Sequence, residues 1–347
     1  MPVVQYEVLR ELSFNVFNAT GIPAGDARIL ADHLATSNLV GHDSHGVWFL
    51  PRYVGGLKQR YIRWEDREVL RENASFILID GRSANGIVAV TRALDLAVEK
   101  ARAATFGMVG LRNVTHIGRL GDFPPRIAQH GLIGMVWMNG GGLFLAPYGS
   151  ADRRLRPEPI AFAVPRRNGP PFMLDMTLSV VAGGKIEQKL VRNQPIPEGW
   201  LIDHDGKSVT DGSRYRNPDD VGVLPLGGLQ FGHKGHGLAM MIEMIVGPLC
   251  LAGCTKTNGV GGGGIMILAI DIEDFTDLET YTNEVEGLVE WVGSARPLPG
   301  FKKVYAPGEI EEEVRQRRLR DGIDIPEPTW AEISAVAAEL GVPMPAV

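Results

Sequence analysis

The chain has 347 residues, 44% of them hydrophobic and 22% charged, which is enough to bury a sizeable core and long for one simple domain, so two or three subdomains are expected. Its net charge of −6 argues against a nucleic-acid partner, the one basic run being Arg315-Gln316-Arg317-Arg318-Leu319-Arg320. No apolar run reaches the roughly 18 residues a bilayer span needs and no signal-peptide pattern is visible, so the chain is read as cytoplasmic, with no membrane partner.

Residues 1 to about 70 read as helices, with Ala31 and Leu34 on one apolar face and Leu50, Tyr53, Val54 and Leu57 on another. From Phe76-Ile77-Leu78-Ile79 the pattern turns to strand, then to helix over 86–104, strand over 108–111, a short helix holding Pro124 and Pro125, and strand over 132–138, the alternation of an α/β layer. Further strands are expected at 160–164 and 172–174, then a helix through Lys185 and a turn at Asp205-Gly206. A Gly, Pro and Leu loop over 221–232 leads into an apolar helix over 237–251, where Cys250 and Cys254 would stack on one face as small core residues of a reducing compartment. The run Gly259-Val260-Gly261-Gly262-Gly263-Gly264 enters a strand over 265–270. A dinucleotide fingerprint instead places its glycines between strand and helix, so this run reads as a flexible loop. The chain closes in helices, the basic run alternating with Glu311, Glu312 and Glu313 as a solvated face, and Thr329-Trp330-Ala331-Glu332 forming a capping box.

Three constellations carry chemistry. Gly41-His42-Asp43-Ser44-His45-Gly46 sets two imidazoles, a carboxylate and a hydroxyl between two helical patterns, and a histidine titrating near 6.5 can move a proton near neutral pH. The same residues also fit a structural role, Asp43 or Ser44 as N-cap of the next helix and Gly41 as left-handed cap of the one before. Thr115-His116-Ile117-Gly118-Arg119-Leu120-Gly121 follows a strand and opens toward a helix, the context of an anion site, with Arg119 able to fork onto phosphate oxygens; alternatively Arg119 pairs with a surface acid and His116 is a satisfied loop histidine. Phe231-Gly232-His233-Lys234-Gly235-His236-Gly237 places a lysine at an expected helix start, against the dipole, which a ligand anion would explain and an exposed loop would also fit.

Together these segments resemble the malate/L-lactate dehydrogenase family that lacks a Rossmann fold. The carriers are Gly41 to Val47 with Pro51-Arg52-Tyr53-Val54, His116 to Gly121, Leu174-Asp175-Met176, Gly184-Lys185, Ile202-Asp203 with Asp205-Gly206, His233-Lys234-Gly235 and Pro307-Gly308-Glu309. The Gly-His-Asp-Ser-His-Gly spelling and the Pro-Gly-Glu ending are most similar to the hydroxycarboxylate dehydrogenase B branch. The resemblance implies an α/β chain in which a non-Rossmann NAD-binding sheet domain, 73–305, sits beside a helical domain formed by both termini, 1–72 and 306–347. It further implies a homodimer with the active site near the interface. Its implied activity is hydride transfer between NAD, with NADP left open, and a 2-oxo acid/2-hydroxy acid pair. His45 would be the proton-transfer residue, oriented by Ser44, with a proton-transfer role for His116. Gly118, Arg119, Leu120, Leu174, Asp175, Met176, Thr177, His233, Lys234, Pro307, Gly308 and Glu309 would meet the cofactor, with no metal.

Three departures bear on the substrate. Phe49, beside Trp48, stands where many members carry a carboxylate-binding arginine, so Arg52 is expected to substitute and the substrate side chain to be bulky or aromatic. Arg156-Pro157-Glu158-Pro159 replaces a Thr-Asn-Pro, and Glu158 would repel a 2-oxo acid if it pointed inward. Lys185 replaces the aspartate of imine-reducing members and favours an acidic or carbonyl substrate. The alternatives are a ketimine reductase, a metal-dependent hydrolase using His42, Asp43 and His45, and a cofactor-binding homologue without catalysis.

Overall fold

The computed structural model describes residues 2–191, 193–257 and 263–346. A short strand β1 (Val3–Val4) precedes two helices, α1 (Tyr6–Asn18) and α2 (Ala24–Leu39). Leu9, Leu12 and Val16 on α1 meet Leu30, Ala31 and Leu34 on α2 at three- and four-residue spacings, so the two helices share one buried seam. Gly41, past the end of α2, takes φ +88°, the left-handed position expected of it. Helix α3 (Leu50–Gln59) buries Leu50, Tyr53, Val54 and Leu57, the stripe read from the sequence. Its N-cap is Phe49 rather than Asp43 or Ser44, because Asp43–His45 closes into a 3-10 turn of its own and both side chains are engaged elsewhere.

Next come β2 (Glu68–Glu72), β3 (Phe76–Ala84), α4 (Gly86–Ala104), β4 (Phe106–Val114), α5 (Pro124–Ala128), β5 (Leu132–Asn139), β6 (Ile160–Val164), β7 (Phe172–Met176) and α6 (Gly183–Val191). They are followed by β8 (Leu201–Asp203), β9 (Ser208–Val209), β10 (Val221–Val223), α7 (Gly228–Leu249) and β11 (Gly264–Asp271). The seven-stranded sheet runs β2-β3-β4-β11-β5-β6-β7, and within it only β3 and β4 pair in parallel, joined by α4. The sheet is therefore mixed and mostly antiparallel. Helices α4 and α5 cover one face, Ala93 and Ala97 lying on Val109 and Ile267, while α7 covers the other through Ala239, Ile242 and Val246. Strands β8, β9 and β10 form a separate small sheet.

The chain ends with α8 (Leu278–Gly293), α9 (Glu309–Asp321), β12 (Ile323–Asp324) and α10 (Glu327–Glu339). Ile333 and Ala337 of α10 enter the core of α1 to α3, and β12 pairs antiparallel with β1, Val4 opposite Ile323. Ile87 and Val88 of α4 join that core too, tying the terminal helices to the sheet layer.

Four expectations fail for local reasons. Helix α7 begins at Gly228, so the expected loop glycines Gly232 and Gly235 are helical; a Cβ at Gly235 would stand 2.5 Å from Leu226 O, and glycine lets the helix back onto that segment. Because α7 stops at Leu249, just after Pro248, Cys250 and Cys254 do not stack on one helical face. The capping box does not form: α10 starts after Pro326 with Pro328 in its first turn, which leaves Thr329 inside the helix. The basic run is not a wholly solvated face, since Arg318 turns inward to Asp43. Of the glycine run, residues 259–262 lie outside the described residues, and Gly264 opens β11. Among the described residues no helix is long and apolar enough to cross a membrane.

Candidate active site

The 3-10 turn Asp43–His45 is held from two sides. Asn38, buried in the last turn of α2, accepts from Val47 N at 2.8 Å and donates to Asp43 Oδ1 at 2.7 Å. Arg318 of α9 grips the same carboxylate with two bonds, 2.7 Å to Oδ1 and 2.9 Å to Oδ2. Gly46 is needed beneath, because a Cβ there would fall 2.1 Å from Asn38 Oδ1. Asp43 thus anchors the turn, and His42 faces Glu311 at 3.3 Å, which leaves Ser44 and His45 as the pair turned toward other chemistry. Ser44 Oγ lies 3.1 Å from His45 Nδ1, and among the described residues Nε2 has no hydrogen-bond partner. The Trp48 indole donates to Ser44 O at 2.7 Å.

His116, at the end of β4, stacks over His45 with ring centroids 6.1 Å apart and planes within 13°. Tyr53, read from the sequence as part of a buried stripe and of the Pro51-Arg52-Tyr53-Val54 motif but given no role in the site, puts its hydroxyl 2.6 Å from His116 Nδ1. Phe49 stacks on His116 at 4.7 Å and on Tyr53 at 5.6 Å. Burial first, then the cationic potential of His116, His42, His33 and Arg119, lowers His45 to about 3. Burial, then His33 and Arg52, lowers His116 to about 4. Both imidazoles are neutral at pH 7, so each has one nitrogen able to accept a proton and one able to donate. Arg52 lies exposed above the Phe49 ring at 5.8 Å and has no ion pair among the described residues. With Arg60, Tyr53, Asn85, Thr115 and His116 it lines a cavity of about 180 Å³.

The segment after His116 is built around a buried histidine that the sequence reading missed. His33 of α2 bonds Asp122 Oδ2 through Nδ1 at 2.8 Å and accepts from Arg119 N through Nε2 at 2.9 Å. Gly118 (φ +71°) passes so close that a Cβ would stand 2.0 Å from that Nε2. Arg119 is itself buried, 3.7 Å from Asp175, and its Nε has no hydrogen-bond partner. Asp175 also accepts from Gly121 N at 2.8 Å. Leu120 points into the core under the sheet, so only its backbone can meet a ligand. The anion site does not extend into α5, because Pro124 and Pro125 open that five-residue helix and supply no N–H.

Leu174 and Met176 flank Asp175 on β7, and Met173 of the same strand touches Gly308, so residues 307–309 reach this edge of the sheet. There Pro307 is exposed, and Glu309 accepts from Ala306 N at 3.0 Å and Lys303 at 3.1 Å. The Thr177 hydroxyl is taken up by Pro157 O and Ser179. Lys185 is exposed on the first turn of α6, whose Gly184 lies against Ser44. His233 and Lys234 are not brought to this cluster. They lie exposed on α7, against Tyr148 and Phe231, and Lys234 is nearly two turns inside the helix, so no dipole argument applies to it. Glu158 is fully buried and points at no substrate; burial and the neighbouring Glu243 push its carboxyl up to about 10, against the pull of Arg156, so it carries no charge at pH 7.

A family model described as malate/L-lactate dehydrogenase matches residues 4–334. The malate dehydrogenase of Pyrococcus abyssi is 36% identical over 336 residues, 94% of this chain and 92% of that one. Hydroxycarboxylate dehydrogenase B of Escherichia coli (strain K12) is 31% identical, covering 94% and 91%. Among solved structures, malate dehydrogenase from Entamoeba histolytica superposes with a TM-score of 0.92 at 26% identity, covering 99% of each chain.

Proposed function

The chain belongs to the malate/L-lactate dehydrogenase family and is a 2-hydroxy acid oxidoreductase, and we propose that it works with a nicotinamide cofactor, His45 carrying the proton. The observation that carries this reading is the setting of His45, with Nδ1 against Ser44 and Nε2 without a hydrogen-bond partner among the described residues. With Nδ1–H donated to Ser44, Nε2 presents a lone pair to a substrate hydroxyl. In the oxidation direction the 2-hydroxyl O–H bond breaks, its proton moves to His45 Nε2, the C2–H bond releases hydride and the C=O bond forms. A bound oxidised nicotinamide supplies the hydride acceptor. In reverse, protonated His45 returns the proton to the nascent alkoxide.

The residues fit such a cofactor at Arg119. A buried guanidinium that makes no side-chain hydrogen bond among the described residues matches an acceptor brought by a ligand, and the backbone at Gly118 and Gly121 allows close approach. Arg52, with no competing carboxylate, would hold the substrate carboxylate beside His116. Phe49 packs on His116 and Tyr53, so the expectation of a bulky or aromatic substrate rests on Trp48, which is 46% exposed. Lys185, on the turn that touches Ser44, opposes a cationic imine and so disfavours the ketimine reading. The hydrolase alternative falls with the family match.

We propose further that two copies associate through α7, where Leu229, Leu238, Met240, Met241, Met244 and Leu249 are all more than 40% exposed, an apolar face unlike that of an ordinary monomer surface. His233 and Lys234 would then lie at the interface. Sedimentation of the purified chain tests this, a monomer at micromolar concentration ruling it out. The cofactor reading is tested by titrating the protein with NADH and then NADPH, following quenching of its six tryptophans, and by assaying aliphatic and aromatic 2-hydroxy acids with the oxidised form. Saturable binding with turnover is expected. Binding without turnover of any 2-hydroxy acid would favour a non-catalytic homologue.

A further inference from the structure

Of the buried polar side chains of helix α2, His33 (0% exposed) and Asn38 (4% exposed), five residues apart, each leave the helix to hold a different loop. Asn38 holds the His45 turn through Val47 N and Asp43. His33 holds the opposite loop through the Arg119 amide, and its own tautomer is set by Asp122, which Arg126 pairs at 2.6 Å. Although burial alone would raise Asp122, Arg126 and His33 keep its carboxyl well below the ordinary range, so it accepts the Nδ1–H and leaves the Nε2 lone pair for Arg119 N–H. At 1.5 Å per residue the two anchors are about 7.5 Å apart along one rigid element. Everything between them is short: His45 to His116 on one side, Arg119 to Asp175 on the other.

We propose that His33 is a positioning residue for hydride transfer, pinning the Gly118–Arg119 segment to the helix that also holds His45, so that cofactor and proton acceptor are kept at one spacing. The proposal rests on the cofactor reading above. A helix interior ordinarily gains nothing from a histidine on its buried face, and burying one without partners is destabilising. Here both ring nitrogens are satisfied, and the loop is shaped around the ring, since only a glycine at 118 leaves room for Nε2.

The test compares His33→Ala, His33→Gln and Leu34→Ala with the wild type in equilibrium NADH and NADPH titrations well below the melting temperature, alongside hydrogen exchange of the Arg119 amide and the imidazole 15N spectrum of the free protein. Wild-type His33 is expected as the Nδ1–H tautomer with a protected Arg119 amide. His33→Ala should weaken cofactor binding at least tenfold and expose that amide. His33→Gln, which places an acceptor at similar reach, should recover most of the affinity. Leu34→Ala, equally buried on α2, should lower stability and leave affinity within twofold. If the wild type binds cofactor and His33→Ala binds equally well, His33 does not position the site. If Leu34→Ala loses as much affinity as His33→Ala, the effect is general to the helix and the proposal is wrong. If the wild type binds neither cofactor, the cofactor reading fails first, and the proposal with it.

Discussion

Two clusters of titratable groups invite comparison: half-buried His45 with exposed His116, and fully buried Glu158 with Glu243. Burial acts on both by penalising the charged form, which drives the imidazoles down to about 3 and 4 and the Glu158 carboxyl up to about 10, so at pH 7 one arrives at neutral bases and the other at a neutral acid. Their satisfaction differs. The imidazoles have one nitrogen each on a hydroxyl, from Ser44 and Tyr53, while neither oxygen of Glu158 has a hydrogen-bonding donor among the described residues. A half-satisfied group that lines a cavity, as His116 does, is poised for a ligand. A carboxyl buried in a closed core beside a second carboxyl is a standing loss of stability.

The comparison can be broken at four points. His45→Ala should lower turnover about 10²-fold or more, close to 3 kcal/mol of barrier, with cofactor affinity within threefold, and steady-state kinetics beside a binding titration reads both. Turnover near wild type would remove His45 from the mechanism. Glu158→Gln should stabilise the protein, because a carboxyl whose folded pKa is raised loses stability as pH climbs from about 4.5 toward 10; the gain should be near zero at pH 4.5 and about 3 kcal/mol at pH 6.5 in urea unfolding. A gain that does not vary with pH would mean that Glu158 is charged when folded. The imidazoles predict the opposite slope. With folded pKa values depressed below 6.5, their stability is complete above that pH and is lost as pH falls toward 4 and 3, up to roughly 2 kcal/mol at pH 5 for half-buried His45 and less for exposed His116, whose contribution solvent screens. Replacing both by Asn should flatten this limb of the unfolding profile. The smallest effect expected is that of Tyr53→Phe, a loss of five- to tenfold in turnover, near 1 kcal/mol, from freeing the His116 ring. A change confined to KM would place Tyr53 in substrate binding instead.

Strand and helix positions in the sheet layer were legible because period-two and period-3.6 patterns are local: helix 86–104 and strand 160–164 stand where the sequence puts them. Strand order was not legible, since β11 inserts between β4 and β5 by pairings far apart in sequence. Composition misled where glycine served contact rather than flexibility, as at Gly235. At the site, Ser44, His45 and His116 were visible from residue type and motif. His33, Asp122, Tyr53 and Arg318 were not, because each matters through a partner 60 or more residues away: 89 for His33 and Asp122, 63 for Tyr53 and His116, 275 for Arg318 and Asp43.

That last pairing sets an order of events during synthesis. The turn bearing His45 is made well before the arginine that clamps its Asp43, which follows 275 residues later, about 15 to 55 s at ordinary elongation rates. The nascent chain therefore carries the His45 turn unclamped over that interval, and the cluster is complete only when α9 docks.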